Sequence, residues 1–115
     1  MRRGDVYWVN LEPVTGSEAN KTRPAVIVSN DALNRTTERL RQGVVTVAPL
    51  TSNIRRVRSF QVLVPAGAAG LPRDSKVQAD QVRTISAHRL GERVGTLPPA
   101  LLAEVDAALR LHLNL

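Results

Sequence analysis

Short apolar runs separated by turn-forming residues constrain the fold of this chain more than any other feature. The runs cover residues 6–11, 25–28, 44–50, 60–64, 77–85 and 93–97. Apolar runs of this length, bounded by glycine, proline and polar residues, are typical of β-strands. The run at 77–85 predicts either one long strand or two short strands with a kink near Asp80. We therefore expect a small, strongly bent antiparallel sheet or open barrel.

The C-terminal segment follows a different pattern. After Pro98 and Pro99, apolar residues recur at spacings of three and four, at Leu102, Val105, Leu109 and Leu113. This spacing places them on one face of an amphipathic helix, and prolines are tolerated in its first turn. The helix is expected to cover one face of the sheet. The predicted fold class is mainly β with a C-terminal helix (α+β).

Two intervening segments lack a clear apolar period. Residues 30–41 are polar and rich in arginine, which predicts at most one helical turn. Residues 66–74 contain two glycines and Pro72 and are expected to form a loop.

Size and charge limit the possible functions. The chain has 115 residues, so residues 1–115 are expected to form a single domain. Its formal net charge is +6, and its basic residues are all arginines except Lys21 and Lys76. Arginine binds phosphate through a bidentate fork and stacks on bases, which favours nucleic acid over a membrane surface as the partner. The alternative is a basic surface that only keeps the protein soluble.

Several classes of protein are excluded by composition. The chain contains no cysteine, so disulfides and thiolate metal sites are ruled out. The segment after Met1 is polar at once, and no apolar run approaches the ~20 residues that span a bilayer. We expect a cytoplasmic protein without a metal or another cofactor.

The loop between the first two predicted strands contains the strongest candidates for chemistry. It is polar, contains Gly16 and Glu18, and ends at Arg23. Because Pro24 disfavours helical geometry in the residue before it, Arg23 is expected to be extended at the mouth of a buried strand. A carboxylate and a guanidinium placed close together in this way suit the binding and cleavage of a phosphodiester. Taken alone, Arg23 is also consistent with an ordinary strand-edge residue, and Glu18 with a solvated one.

Cleavage of RNA without a metal requires a base for the 2′-hydroxyl, a clamp for the phosphate and an acid for the departing 5′-oxygen. Histidine is not expected to supply them, because His88 and His112 are interpreted as structural or surface residues. No cluster of His, Asp or Glu has the spacing of metal ligands. The hydroxyls of Thr51 and Ser52 are able to donate to a phosphate oxygen, although a plain turn explains them equally well.

Four segments, in the same order along the chain, resemble the MazF/PemK family of toxin ribonucleases. They are residues 3–18, which run from Arg3 through Pro13 to Glu18, and residues 23–30, 49–53 and 80–85. Val94-Gly95 followed by a helix also fits, so the resemblance covers nearly the whole chain. It implies a compact SH3-like antiparallel barrel, related to that of the gyrase-poisoning toxin CcdB.

The resemblance also implies an activity. Family members are toxins of type II toxin–antitoxin systems and are sequence-specific, metal-independent endoribonucleases of single-stranded RNA, chiefly messenger RNA. Attack by the 2′-hydroxyl leaves a 2′,3′-cyclic phosphate and a 5′-hydroxyl, and loss of the message inhibits translation and growth. Members are homodimers with RNA in a groove at the interface, and the acidic tail of a cognate MazE-like antitoxin occupies that groove. The rival interpretations are a CcdB-like toxin that binds a protein and a non-catalytic RNA-binding barrel.

The same resemblance implies roles for individual residues. In relatives the arginine of the Arg-Pro step is the central catalytic residue, which clamps the phosphate and is also a candidate for the acid. The threonine of a Pro-x-Thr step contacts the scissile phosphate. The resemblance therefore identifies Arg23 and Thr51. Glu18 is expected either to act as the base or to orient the arginine. The remaining candidates for substrate binding are Lys21, Ser52, Asn53, Arg56, Gln78 and Asp80.

Two departures from the family pattern leave the proton donor unassigned. Some members have an arginine where this chain has Gln78, and others have a histidine where it has Ser17. Asp80 is expected either to take part in acid–base chemistry or to hold the loops together through hydrogen bonds.

The other arginines and the aromatic residues complete the expectations. A candidate track for RNA consists of Arg55, Arg56 and Arg58 together with Arg35, Arg39 and Arg41. A solvated surface and a docking site for an acidic partner are the alternatives. Trp8 and Phe60 lie within apolar runs and are expected in the core, so little base stacking is expected. Sequence choice would then depend on hydrogen bonds from the loops to base edges.

Overall fold

A computed structural model describes residues 1–12, 15–18 and 21–115, so Pro13 of the opening motif lies outside the described residues. Within these ranges the chain forms seven strands: β1 (Asp5–Asn10), β2 (Thr22–Ile27), β3 (Val44–Thr51), β4 (Gln61–Val64), β5 (Ser75–Gln78), β6 (Arg83–Ser86) and β7 (Leu90–Thr96). The helices are α1 (Asp31–Leu40) and α2 (Pro99–Leu113), with short 3₁₀ turns at Ala79–Gln81 and Ala87–Arg89. The kink expected near Asp80 is one of these turns, and it divides the predicted run at 77–85 into β5 and β6.

The strands form one antiparallel sheet around β3. Along the main path the order is β4-β5-β3-β2-β1-β7, and β6 also pairs with β3. One edge of β3 pairs with β2, while the other pairs first with β6 and then, at Leu50 and Thr51, with β5. The sheet is barrel-like but open, because β4 and β7 are the two ends of the path. The expected β-rich fold with a C-terminal helix is confirmed.

Two apolar clusters make up the core, because successive residues of a strand point to opposite faces of the sheet. One cluster includes Val6, Val26 and Leu50 and extends to Val105 and Ala108 of α2. The other includes Val9, Ala25 and Ile27 of β1 and β2 together with Val45, Val47 and Ile85. Helix α2 therefore covers one face, as its periodicity predicts. None of the helices in the described part of the chain is long and apolar enough to span a membrane.

The prediction of at most one helical turn at 30–41 is wrong, because α1 spans ten residues. Its N-cap is Asn30, whose side chain accepts a hydrogen bond from the backbone of Leu33 at 2.8 Å. The residues that α1 buries are polar, namely Asn34 and Thr37. A helix that packs through polar residues has no apolar period, and this is why the sequence pattern failed to indicate it.

The predicted burial of three apolar side chains also needs correction. Trp8 is 42% exposed and Leu113 is 50% exposed, although both were expected to pack inward. Both faces of β1 are partly covered, because the fully buried Val6 and Val9 belong to different core clusters, but Trp8 lies outside this cover. Phe60 is half-buried and packs against the ring of His112, with centroids 6.2 Å apart.

Asn34 should contribute to stability because it joins α1 to the sheet. Its Nδ2 donates to the carbonyl of Ser29 at 2.8 Å and its Oδ1 accepts from the Ser29 hydroxyl at 2.6 Å. We expect Asn34→Ala to lower the free energy of unfolding by about 2 kcal/mol, since it leaves buried partners unsatisfied. Urea denaturation measures this change. The exposed neighbour Arg35 provides the control, and an equally large effect of Arg35→Ala would contradict the assignment.

Candidate active site

A polar cavity of about 260 Å³ opens where the loop between β1 and β2 meets the ends of β2, β3 and β5. The structure brings the three predicted catalytic residues Glu18, Arg23 and Thr51 together on it, with the predicted substrate-binding residues Asn53 and Gln78. The full lining consists of Ser17, Glu18, Arg23, Thr51, Asn53, Lys76, Gln78 and Gln81. Among these described lining residues, Glu18 is the one carboxylate, and Arg23 and Lys76 make the cavity cationic.

Strand pairing fixes the position of Arg23. It lies within β2 rather than ahead of it and pairs with Val9 of β1, while Pro24 pairs with Trp8. Proline is tolerated in an extended strand because its fixed φ matches that geometry. The main chain at Arg23 is therefore held against β1 at the cavity mouth.

Thr51 reaches the cavity as the last residue of β3, opposite Lys76 of β5. Its Oγ1 accepts a hydrogen bond from the backbone N–H of Asn53 at 3.2 Å. The side chain of Asn53 in turn accepts from the backbone of Arg55 at 3.3 Å. Because one lone pair of the Thr51 oxygen is used in this turn, the hydroxyl hydrogen can be directed at a ligand.

Side chains from residues 81–89 donate hydrogen bonds to the segment that contains Glu18. Arg83 donates to the carbonyl of Leu11 at 3.2 Å, and Arg89 donates to the carbonyls of Asn10, at 3.1 Å, and Glu12. Gln81 donates to the carbonyl of Ser17 at 3.4 Å. Glu18 itself accepts from the backbone of Thr15 at 3.0 Å. The loop is thus held at its base and near its carboxylate.

Sequence reasoning did not single out Ser17, Lys76 or Gln81 as lining residues. The signal for Lys76 was the alternation in β5, where Ser75 and Val77 are buried and Lys76 and Gln78 share the other face. Gln78 was a candidate, so strand periodicity alone indicates Lys76 as its neighbour on the same face. For Ser17 and Gln81, adjacency to the candidates Glu18 and Asp80 was the available signal.

Other predicted site residues do not line this cavity. Lys21 is exposed at the start of β2, in a left-handed conformation with φ 68°, and its backbone donates to Glu12 at 2.9 Å. The side chain of Arg56 is exposed, but its carbonyl accepts from Nζ of Lys76 at 2.5 Å. The Oδ1 of Asp80 is buried without a hydrogen-bond partner among the described residues. The suggestion that Asp80 joins the loops by hydrogen bonds is therefore not supported for this oxygen.

A second, larger cavity of about 540 Å³ adjoins the first one and is mainly apolar. It contains Ser52 and the exposed Trp8, and it shares Arg23 and Thr51 with the polar cavity. The rest of its lining consists of Thr22, Pro24, Leu50, Gly70, Leu71, Pro72, Arg73, Ser75 and Val94. Arg23 and Thr51 thus lie between a polar and an apolar space.

The arginine track is divided. Arg35 and Arg39 line a separate groove on α1, and Arg41 lines another one near His88, and neither groove shares a residue with the polar cavity. In the other group, the carbonyl of Arg56 contacts Lys76, which places the main chain of Arg56 next to that cavity.

No group of three or more His, Cys, Asp or Glu side chains in the described ranges is placed to hold a metal ion. The groups that the polar cavity offers are therefore one carboxylate, one guanidinium, one ammonium, hydroxyls and amides. Together they suit the binding of an anion and the transfer of its protons.

Known proteins resemble this chain along its whole length. It is 53% identical over 115 residues to the endoribonuclease MazF9 of Mycobacterium tuberculosis (strain ATCC 25618 / H37Rv), a match that covers 100% of this chain and 98% of the relative. It is 34% identical over 116 residues to the endoribonuclease EndoA of Bacillus subtilis (strain 168), which covers 100% and 96% of the two chains.

Solved structures agree. A crystal structure of MazF from Deinococcus radiodurans superimposes with a TM-score of 0.84 at 29% identity and covers 100% of this chain and 97% of that one. An endoribonuclease in complex with its cognate antitoxin, from a mycobacterial species, superimposes with a TM-score of 0.79 at 30% identity and covers 100% and 96%.

A family model described as the PemK-like, MazF-like toxin of type II toxin–antitoxin systems matches residues 2–113. With this match, and with the identities above, the chain belongs to the PemK-like, MazF-like toxin family.

Proposed function

We propose that this chain is a toxin that cleaves single-stranded RNA as a sequence-specific, metal-independent endoribonuclease. The observation that carries the proposal is the meeting of Glu18, Arg23 and Thr51 on one cationic cavity. The names of the relatives MazF9 and EndoA, both endoribonucleases, support the choice of reaction.

The reaction that fits these groups is an internal transesterification. The 2′-oxygen of one nucleotide bonds to the adjacent phosphorus as its proton leaves, and the bond from phosphorus to the 5′-oxygen breaks. That oxygen takes up a proton, so the products are a 2′,3′-cyclic phosphate and a 5′-hydroxyl. No water is consumed in this step, and the negative charge that develops on the phosphorane is where the protein must donate hydrogen bonds.

Arg23 would clamp the non-bridging oxygens of that phosphate. Its guanidinium presents two parallel N–H donors to a phosphate. The hydroxyl of Thr51, oriented by the Asn53 N–H, would donate to the same group. Both residues border both cavities, so a phosphate held between them has space on either side for its two nucleosides.

Glu18 either removes the proton from the 2′-hydroxyl or orients Arg23. One carboxylate oxygen already accepts from the Thr15 backbone, which leaves the other oxygen for either role. Lys76 lines the same cavity and carries an ammonium, so it is a further candidate for donating the proton to the 5′-oxygen.

We also propose that residues 1–115 are one toxin domain that acts in the cytoplasm as a homodimer and is silenced by an acidic antitoxin. The solved complex of a mycobacterial endoribonuclease with its cognate antitoxin supports the partner. A formal net charge of +6 favours an acidic partner and an RNA substrate alike.

Arg23→Ala should lower kcat/KM for RNA cleavage by about 1,000-fold or more, because the developing phosphorane charge loses its clamp. Cleavage is measured on a long defined RNA in EDTA, with the new 5′-hydroxyl ends mapped. Arg110→Ala, an exposed arginine on α2, provides the matched control. Circular dichroism and Tm confirm that both variants fold.

Two results would contradict this assignment. Unchanged cleavage by Arg23→Ala would remove Arg23 from the mechanism. RNA that stays intact with excess wild-type protein would remove the nuclease activity itself and favour a toxin that binds a protein.

Arg56 should contribute to RNA affinity through one phosphate contact, because its main chain touches Lys76 at the cavity. Replacing it by alanine is expected to reduce the slope of log K against log salt by about 0.7, the value for one phosphate of a single strand. Fluorescence anisotropy with a non-cleavable RNA at several salt concentrations gives the slope. If Arg56→Ala and Arg110→Ala share the wild-type slope, Arg56 does not contact phosphate.

Arg83 and Arg89 should act as positioning residues for the Glu18 loop, since they donate to the carbonyls at its base. The double variant Arg83→Ala/Arg89→Ala is expected to lower kcat by about 10- to 100-fold, because small displacements of catalytic groups are costly. Hydrogen exchange should become faster in residues 10–12 and stay unchanged in β5. Lower activity without faster exchange in that segment would argue against the loop as the cause.

A further inference from the structure

Trp8 is the largest apolar side chain near the site, and its exposure is unusual for its position. It lies in the middle of β1, between the fully buried Val6 and Val9 on the sequence, yet it is 42% exposed. Trp8 pairs with Pro24 of β2, and both residues line the apolar cavity. An exposed tryptophan in a cavity wall is a common feature of binding sites, because its ring supplies a large contact area at small entropic cost.

The floor and one wall of this cavity are closely packed. Leu50 and Leu71 are 1% and 3% exposed, so they form a buried apolar floor. Gly70, with φ +78°, packs so closely on β7 that an added Cβ would clash with the carbonyl of Val94. The segment that supplies Leu71, Pro72 and Arg73 is thereby fixed against the sheet. The volume of about 540 Å³ lies within the range of small-molecule sites, roughly 300–1,000 Å³.

The apolar cavity adjoins the polar one, and this position indicates which ligand it binds. Arg23 and Thr51 border both spaces. A phosphodiester always carries one nucleoside on each side, so a phosphate held by these two residues directs one nucleoside toward each cavity. The apolar space offers a tryptophan face, prolines and the Arg73 side chain, which are the groups that stack on a planar base.

We infer that the apolar cavity is a nucleobase-binding subsite, in which Trp8 stacks on the base of one nucleoside beside the phosphodiester held by Arg23 and Thr51. The inference rests on the proposed function, and it revises the expectation that base stacking contributes little. It also gives the two cavities different roles in the recognition of RNA bases. Stacking accepts any base, whereas the amides and carboxylate of the polar cavity discriminate by hydrogen bonds.

The chain contains one tryptophan, so its intrinsic fluorescence reports on Trp8 alone. The probe is a short single-stranded RNA that contains the mapped cleavage site, with a 2′-deoxy nucleotide in place of the one that supplies the attacking hydroxyl. We expect this RNA to quench the fluorescence of the wild-type protein. An abasic nucleotide at one of the two positions flanking the scissile phosphate should abolish the quenching and raise Kd about 10- to 100-fold.

Variants of Trp8 locate the effect. The Trp8 variants contain no tryptophan, so their Kd is measured by fluorescence anisotropy of a labelled RNA. Trp8→Ala should raise Kd for the intact RNA by a similar factor, about 10- to 100-fold, and should add little to the penalty of the abasic RNA. Trp8→Phe retains an aromatic face and should recover most of the affinity. Leu63→Ala removes another exposed apolar side chain, 44% exposed on β4, and should leave Kd unchanged. Tm values confirm that the variants are folded.

The results separate the inference from the function on which it rests. Failure of the wild-type protein to cleave any RNA overturns the proposed function. Cleavage by the wild-type protein, combined with unchanged Kd and unchanged abasic penalties in Trp8→Ala, overturns the subsite alone. If Trp8→Ala alters only the sedimentation coefficient or the binding of an acidic peptide, the cavity serves a protein partner and the inference is wrong.

Discussion

The backbone pairing of β3 on both of its edges is the constraint on which the site depends. Hydrogen bonds to β2 on one edge and to β5 on the other bring Arg23 and Thr51 to one end of the sheet, although they are far apart in sequence. Lys76 and Gln78 arrive with β5, and the loop between β1 and β2 adds Glu18. A ladder of hydrogen bonds resists displacement more strongly than a loop does, so Arg23 and Thr51 are placed by the rigid part of the fold. The carboxylate is placed by the softer part.

Several arginines bind groups of the protein itself, and two of them hold the loop that carries Glu18. Arg83 and Arg89 donate to the carbonyls at the base of the Glu18 loop, and Arg3 pairs with Asp106 at 2.7 Å. Arg93 lies 3.6 Å from Asp5 and also donates to Thr96. Each of these guanidinium groups satisfies backbone or side-chain acceptors of the fold. The positive charge of the chain therefore overstates the number of arginines that are available to a nucleic acid.

The strands and the terminal helix could be predicted because their burial produces apolar periodicity. The 77–85 run was correctly allowed to divide near Asp80, where a polar residue interrupts it. Helix α1 could not be predicted in this way, because its buried residues Asn34 and Thr37 are polar and bond to neighbouring groups instead. The extended backbone of Arg23 could be predicted because Pro24 restricts it, whereas its candidate role in the site came from the family resemblance. The exposure of Trp8 depends on whether any other segment covers β1 at that point, and that is a property of the whole fold.

Two residues that line the site, Gln78 and Trp8, lack contacts that would normally stabilise a folded protein. Gln78 carries a buried oxygen without a hydrogen-bond partner among the described residues, and such an atom costs about 1–3 kcal/mol. It lines the polar cavity, and the exposed Trp8, which forgoes burial, lines the apolar one. The unpartnered Oδ1 of Asp80 lies outside the lining of both cavities, so an unsatisfied atom alone does not mark the groove. At Gln78 and Trp8, however, one bound nucleotide segment would both satisfy the amide oxygen and cover the exposed ring, which joins the two features in a single explanation.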